Sequence, residues 1–260
     1  MGAFLLFIGS SIMEDKMKSL PLLLHVPHAS IQIPAEYKKD FSADLSKELQ
    51  CMTDWFTDEL FDFATSKLVF PVSRLVCDVE RFRDDSAEEM SRCGMGACYT
   101  HGHDGTIIRK LSEKKKEHIL RQLYDSHHAR LTDITSEMLR RHGSCLIIDC
   151  HSFSNIALPY EPDQSQARPD VCIGTDPFHT TDRIVKELTN AFSQRGYSVF
   201  VNKPYAGTIV PMKYYHTNAK VHSVMIEINR GLYLDSSCRK LPSFLQVKRD
   251  ISLAIEKLIS

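Results

Sequence analysis

The chain is predicted to be a single-domain α/β protein: three layers, α/β/α, around a mixed, mainly parallel sheet. Short apolar runs at residues 21–26, 144–151 and 223–229 lack helical period, as do strands buried on both faces. Segments with apolar residues at helical spacing alternate with them, and that alternation covers a parallel sheet on both sides. No linker-like stretch or internal repeat divides the 260 residues.

The totals narrow the function classes. A hydrophobic share of 43% with 25% charged residues is that of an ordinary soluble globular protein. Basic and acidic residues number 32 and 33, a net charge of −1. This balance gives no argument for nucleic acid or a polyanionic surface, and neither nucleic acid nor a membrane is expected as a partner. Eight cysteines in a chain this long do not make a disulfide scaffold. Cys77, Cys145, Cys150 and Cys172 fall in apolar runs as small core residues, and Cys93 and Cys98 have no second pair at zinc-finger spacing. A reducing cytoplasm is the expected compartment. Residues 1–18 are set apart as an N-terminal extension, with the domain over 19–260. The apolar run at 3–8 is too short to span a bilayer and lacks the basic flank of a signal peptide.

Taken in order, residues 21–26 form the first strand, running into Pro27-His28-Ala29-Ser30. A helical region, interrupted or not, follows over about 43–66, with Leu49, Met52, Phe56, Leu60 and Phe63 as its stripe. Asp54 and Asp58, four apart, share a neighbouring helix face. Residues 67–70 and 73–79 are expected as two short strands divided by Pro71, and 83–105 as a long loop. Ser112 caps a helix reaching 141, stopped by Gly143. The strand ending at His151 comes next, then a polar loop over 155–169 and a short strand at 171–174. A helix over 181–195 stops at Gly196, and a strand follows at 197–201. Residues 204–208 form a Pro/Tyr/Gly loop, 223–229 a strand, and 242–259 the closing amphipathic helix.

Polar residues gather at the ends of these strands: His28, Asp78 with Arg81, and His151. Ligands of open α/β sheets bind beyond such carboxyl ends. A histidine at a strand end can be purely structural, but His28 and His151 with one carboxylate would make the two-His-one-carboxylate set of a catalytic zinc site. Asp54 is the preferred third ligand. Asp149 shares a strand face with His151 and is a candidate to orient it. Glu227 lies inside an apolar strand, where a carboxylate is costly unless it is paired, protonated or metal-bound. It reads either as the partner of Arg81 or Arg230, or as a general base taking a proton from a metal-acidified water. Arg74 and Arg81 flank Asp78, and guanidinium forks suit a substrate carboxylate. No HExxH-type motif is present, and no G-x-S-x-G pattern supports Ser152 as a nucleophile.

Several motifs occur in one order: Val26-Pro27-His28-Ala29-Ser30 with Ile33-Pro34, Thr53-Asp54-Trp55, Ser73-Arg74 through Asp78 to Arg81, Tyr124 with His128, Asp149-Cys150-His151-Ser152, and Glu227-Ile228-Asn229-Arg230 with Tyr233. Together, over about residues 21–235, the chain resembles the N-formylglutamate amidohydrolase family. The resemblance implies a zinc-exopeptidase-like (phosphorylase/hydrolase-like) fold shared with zinc carboxypeptidases, and metal-assisted hydrolysis of an amide beside a carboxylate-bearing amino acid. It implies His28, Asp54 and His151 as ligands of one Zn2+ or other divalent metal, and Glu227 as base and proton shuttle. Arg74, Arg81 and Arg230 would hold substrate carboxylates or the developing oxyanion, Asn229 would join them in binding, and His128 would line the site. Three positions depart from the family's usual motifs. Glu80 stands where an asparagine is usual, and Ser126-His127-His128 replaces Pro-Tyr-His. A carboxylate beside Arg81 alters the local charge and would disfavour a dicarboxylate substrate. The alternatives are a carboxypeptidase-like or broader N-acyl-amino-acid hydrolase, and a non-catalytic ligand-binding relative.

Overall fold

A computed structural model describes residues 21–259 apart from 43, 64, 65, 162 and 166, so the N-terminal extension lies outside the described residues. The strands are β1 (Leu22–Val26), β2 (Ser66–Val69), β3 (Cys145–Phe153), β4 (Val171–Gly174), β5 (Val199–Val201) and β6 (Val221–Asn229). They form one six-stranded sheet in the order β2-β1-β3-β6-β4-β5. All neighbours are parallel except β4 and β6, so the sheet is mixed and mainly parallel, as predicted.

Helices α1 (Ala35–Lys38), α2 (Leu45–Met52) and α3 (Thr57–Leu60) lie between β1 and β2. Before β3 come α4 (Glu113–Ile119), a π turn (Leu120–Asp125) and α5 (Ser126–His142). The final pair is α6 (Asp182–Ser193) and α7 (Phe244–Ile259). Ser112 and Thr181 cap α4 and α6 by accepting backbone N–H groups, and Gly143 ends α5 at φ 80°, a conformation glycine adopts without steric cost.

Strand alternation sorts the core into two faces. Leu24, Leu146, Ile148, Val224 and Ile226 pack against α3, α6 and α7. Leu23, Ile147 and Val221 face the other way, against Leu131 and Met138 of α5. Burying each aliphatic side chain contributes roughly 1.5–3 kcal/mol, so both faces must be covered. This second face also carries Asp149, His151 and Glu227, and the functional side chains emerge where its packing gives out, at the carboxyl ends of β1, β3 and β6. No helix among the described residues is long and apolar enough to cross a membrane.

Two expectations need correction, the strand at 73–79 and the helix-surface position of Asp54. Residues 73–79 are not a strand: the Val76 amide donates to Ser73 O at 2.9 Å, closing a turn. Leu75, Val76, Cys77 and Val79 are fully buried. Their apolar run signalled burial, which does not require extended backbone. The helical region over 43–66 is broken at Thr53–Phe56, where Phe56 adopts φ 62°. Asp54 lies in that break and is 4% exposed rather than on a helix surface. Its amide donates to His28 O at 3.1 Å, tying the break to the loop after β1.

Candidate active site

Three segments bring three donor groups together: the loop after β1 supplies His28, the break between α2 and α3 supplies Asp54, and β3 supplies His151. Their ligand atoms all lie within 4.8 Å of one another. Asp54 Oδ2 is 3.0 Å from His151 Nδ1 and 3.8 Å from His28 Nδ1, and the two rings are 5.0 Å apart. His28 Nδ1 is buried without a hydrogen-bond partner. A buried acceptor nitrogen left open costs stability in a finished core, so its place among two further donors marks a fit for a cation.

The opposite ring nitrogens are held by carboxylates. His28 Nε2 donates to Asp78 Oδ1 at 2.8 Å, and His151 Nε2 meets Asp149 Oδ1 at 3.1 Å. Such partners fix ring orientation and raise basicity in metal-binding histidines. Asp78 is fixed in turn: Oδ2 accepts from Arg74 Nη2 at 2.9 Å and Tyr99 Oη at 2.6 Å, and Oδ1 accepts the Glu80 amide at 3.0 Å. Burial would raise the Asp78 carboxyl, but Arg74 and His28 outweigh it and hold it well below the usual range. Burial likewise opposes the charge on Asp54, and the hydrogen bond from His151 with the nearby His28 ring holds it low.

Glu227 stands beside this set. It pairs in register with His151 on the neighbouring parallel strand, so both side chains leave the same sheet face. It is 7% exposed, and its Oε2 has no hydrogen-bond partner. The alternative of an ion pair to Arg81 or Arg230 is not realised among the described residues. Arg230 donates to the carbonyls of Thr53 at 2.8 Å and Cys51 at 3.0 Å, and Arg81 lies 3.7 Å from Asp78 and 4.0 Å from Glu88. Burial pushes the Glu227 carboxyl up to about 8, against the pull of His151.

A cavity of about 660 Å³ opens over these groups, lined by His28, Asp54, His151, Glu227, His128 and the three arginines Arg74, Arg81 and Arg230. Arg74 is committed to Asp78, whereas Arg81 Nε and Arg230 Nε are buried without hydrogen-bond partners. His128 donates Nε2–H to Val79 O at 2.9 Å and stacks on Tyr124 with ring centroids 4.2 Å apart. Burial lowers its pKa, so this imidazole is neutral at pH 7. Asn229 is not brought to the cavity: its side chain accepts the Gly231 amide at 3.0 Å and donates to Pro169 O at 3.0 Å. Sequence reasoning missed Tyr99, which anchors Asp78, and the wall formed by Tyr160, Glu161 and Tyr205. No local pattern distinguishes those four. It also missed His25, whose signal was available: a polar residue inside an apolar strand, as for Glu227.

Buried histidines, carboxylates and arginines converging at the carboxyl ends of a mostly parallel sheet give this α/β protein a candidate enzyme active site. The family model of N-formylglutamate amidohydrolase matches residues 20–234. The chain belongs to that family, whose members hydrolyse carbon–nitrogen bonds. Its fold is similar to the crystal structure of N-formylglutamate amidohydrolase from Ralstonia eutropha JMP134, with a TM-score of 0.80, 23% identity, and coverage of 93% of this chain and 92% of that one. It is also similar to a gene product of Agrobacterium tumefaciens, with a TM-score of 0.66, 20% identity, and coverage of 94% and 92%. Comparison with curated proteins gives no match.

Proposed function

We propose that the protein is a zinc-dependent amidohydrolase that removes the N-formyl, or another N-acyl, group from a carboxylate-bearing amino acid such as N-formylglutamate. The observation that carries this reading is the open Nδ1 of His28, facing Asp54 and His151 with the unpaired carboxylate of Glu227 alongside. His28, Asp54 and His151 would hold the metal, with Asp78 and Asp149 orienting the two rings. A bound zinc supplies Lewis acidity, which activates water and polarises the acyl carbonyl.

The side chains do the rest. Glu227, ionised where a bound cation would offset the burial that raises it to about 8, takes the proton of the attacking water and returns it to the amide nitrogen as the C–N bond breaks. The acyl group leaves as formate or another carboxylate, and the amino acid is freed. Arg81 and Arg230 each retain an N–H for the substrate carboxylate or the oxyanion, while Arg74 acts mainly by fixing Asp78. His128 shapes the wall as a neutral ring. The described cysteines are all free thiols, which suits a reducing cytoplasm.

A broader N-acyl-amino-acid hydrolase is the second reading, favoured by a cavity that falls in the range of drug-sized ligands. A release assay over N-formyl, N-acetyl and peptide substrates, with and without added zinc, separates the two. Formate release from N-formylglutamate that exceeds all other turnover supports the first reading. Inertness towards every substrate, with no metal taken up, leaves a non-catalytic ligand-binding protein.

A further inference from the structure

Behind the candidate ligands lies a buried cluster that the proposed chemistry does not use. His25 is fully buried on β1, in register with Asp149 on β3. Its Nδ1 is 3.0 Å from Asp149 Oδ1 and 3.1 Å from Glu80 Oε1, and its Nε2 is 2.8 Å from His127 Nε2. Asp149 Oδ1 is the same atom that meets His151 Nε2 at 3.1 Å, and Asp149 Oδ2 accepts the Ile209 amide at 3.1 Å. One carboxylate oxygen is therefore shared by two imidazoles.

Ionised carboxylates only accept hydrogen bonds. With two of them converging on His25 Nδ1, that nitrogen carries a proton. The Nε2–Nε2 contact needs a single proton, and the electrostatics assign it to His25. Burial opposes charge there, but the hydrogen bond to Asp149 and the nearby Glu80 carboxylate raise His25 to about 9. Burial and the neighbouring His25 lower His127 to about 2, so His127 accepts.

We propose that His25 is a positioning residue for the candidate metal site: its Nδ1–H pins Asp149 Oδ1, the carboxylate oxygen that orients His151 and turns His151 Nδ1 towards Asp54 and His28. His127 braces the His25 ring from behind, and the Glu80 carboxylate lies 3.1 Å from the same nitrogen. This inference rests on the metal-dependent reading given under Proposed function. The groups His25, Glu80 and Asp149 are also close enough to hold a cation of their own, so the test must separate a positioning network from a second metal site.

The full-length protein and the variants His25→Leu, His25→Asn and His127→Phe are stripped of metal, then titrated with zinc against a chromophoric chelator and with cobalt by visible absorption. The wild type is expected to take up one zinc per chain. His25→Leu should bind zinc about 10- to 100-fold more weakly, the loss typical of removing a partner behind a metal ligand, and should alter the cobalt spectrum. His25→Asn, whose amide N–H replaces Nδ1–H, should recover most of the affinity. If His25→Leu does not fold, His127→Phe provides the reading, with a smaller loss of the same sign. Equal zinc affinity in the wild type and in every variant that folds overturns the positioning role and leaves the hydrolase reading intact. Two zinc ions per wild-type chain, one of them lost in His25→Asn, overturn it in favour of a second metal site. A wild type that takes up no zinc overturns both.

Discussion

His151 and Glu227 lie opposite each other in register on β3 and β6, adjacent central strands of the sheet. A strand pair is a rigid support, so a candidate ligand and a candidate base are held at fixed separation by backbone hydrogen bonds rather than by loops. Replacing Glu227 with Gln should keep the shape and remove the base. Hydrolysis is expected to fall about 10²- to 10⁴-fold, with zinc content unchanged. Formate release and metal analysis on the same sample check this, and unaltered turnover would place the base elsewhere.

The same carboxylate should burden the metal-free fold at high pH. Glu227 is raised from 4.5 to about 8 by burial, so the folded state holds its proton between those values while the unfolded state does not. Stability from this group is therefore full below pH 4.5 and lost as pH rises through 8. Chelator-treated Glu227→Gln should be more stable than the treated wild type at pH 9, by roughly 2–4 kcal/mol, with the gap closing near pH 5. Urea unfolding at the two pH values measures it. A gap that does not depend on pH would refute the shift.

Asp78 is the common anchor of His28 and Arg74. Asp78→Ala strands a buried guanidinium and frees the His28 ring, so it should cost roughly 3–5 kcal/mol of stability and about 10- to 100-fold in zinc affinity. Urea unfolding and chelator competition test the two effects separately. Wild-type zinc affinity in a folded variant would show that His28 needs no such anchor.

Arg81→Lys retains the charge but loses the planar fork. If Arg81 grips a substrate carboxylate, KM should rise about tenfold or more, with a smaller change in kcat. Steady-state kinetics on N-formylglutamate and on an N-formyl amino acid with a single carboxylate would show which carboxylate it holds. Equal kinetics in wild type and variant would remove Arg81 from the site.

Much of this was legible in the sequence where burial and function leave the same mark. The runs around Ile147 and Ile226 are apolar without helical period, and the sheet puts them at its centre. Glu227 stood out as a charge inside such a run. Asp54 is the preferred third ligand in the sequence, yet its spacing to Asp58 suggests a helix face. In the structure the helix is broken there, the Asp54 amide is tied to His28 O, and the side chain is buried. Residues 73–79 misled because buried turns and buried strands are equally apolar. The network behind Asp149 was hidden because His25, Glu80 and His127 lie far apart in the chain and meet through the parallel pairing of β1 with β3 and the packing of α5. Glu80 and His127, two of the three departures from the family's usual motifs, both contact His25. Glu80 is therefore engaged by a cationic ring, which offsets the charge that it would otherwise present beside Arg81.

The most direct measurement is formate release from N-formylglutamate by chelator-stripped protein, followed as zinc is added back in known amounts. Activity should be absent in the stripped protein and rise to a plateau at one zinc per chain, while His151→Ala stays inactive throughout. Full activity in the stripped protein, or none at any zinc load, would contradict a metal-dependent amidohydrolase.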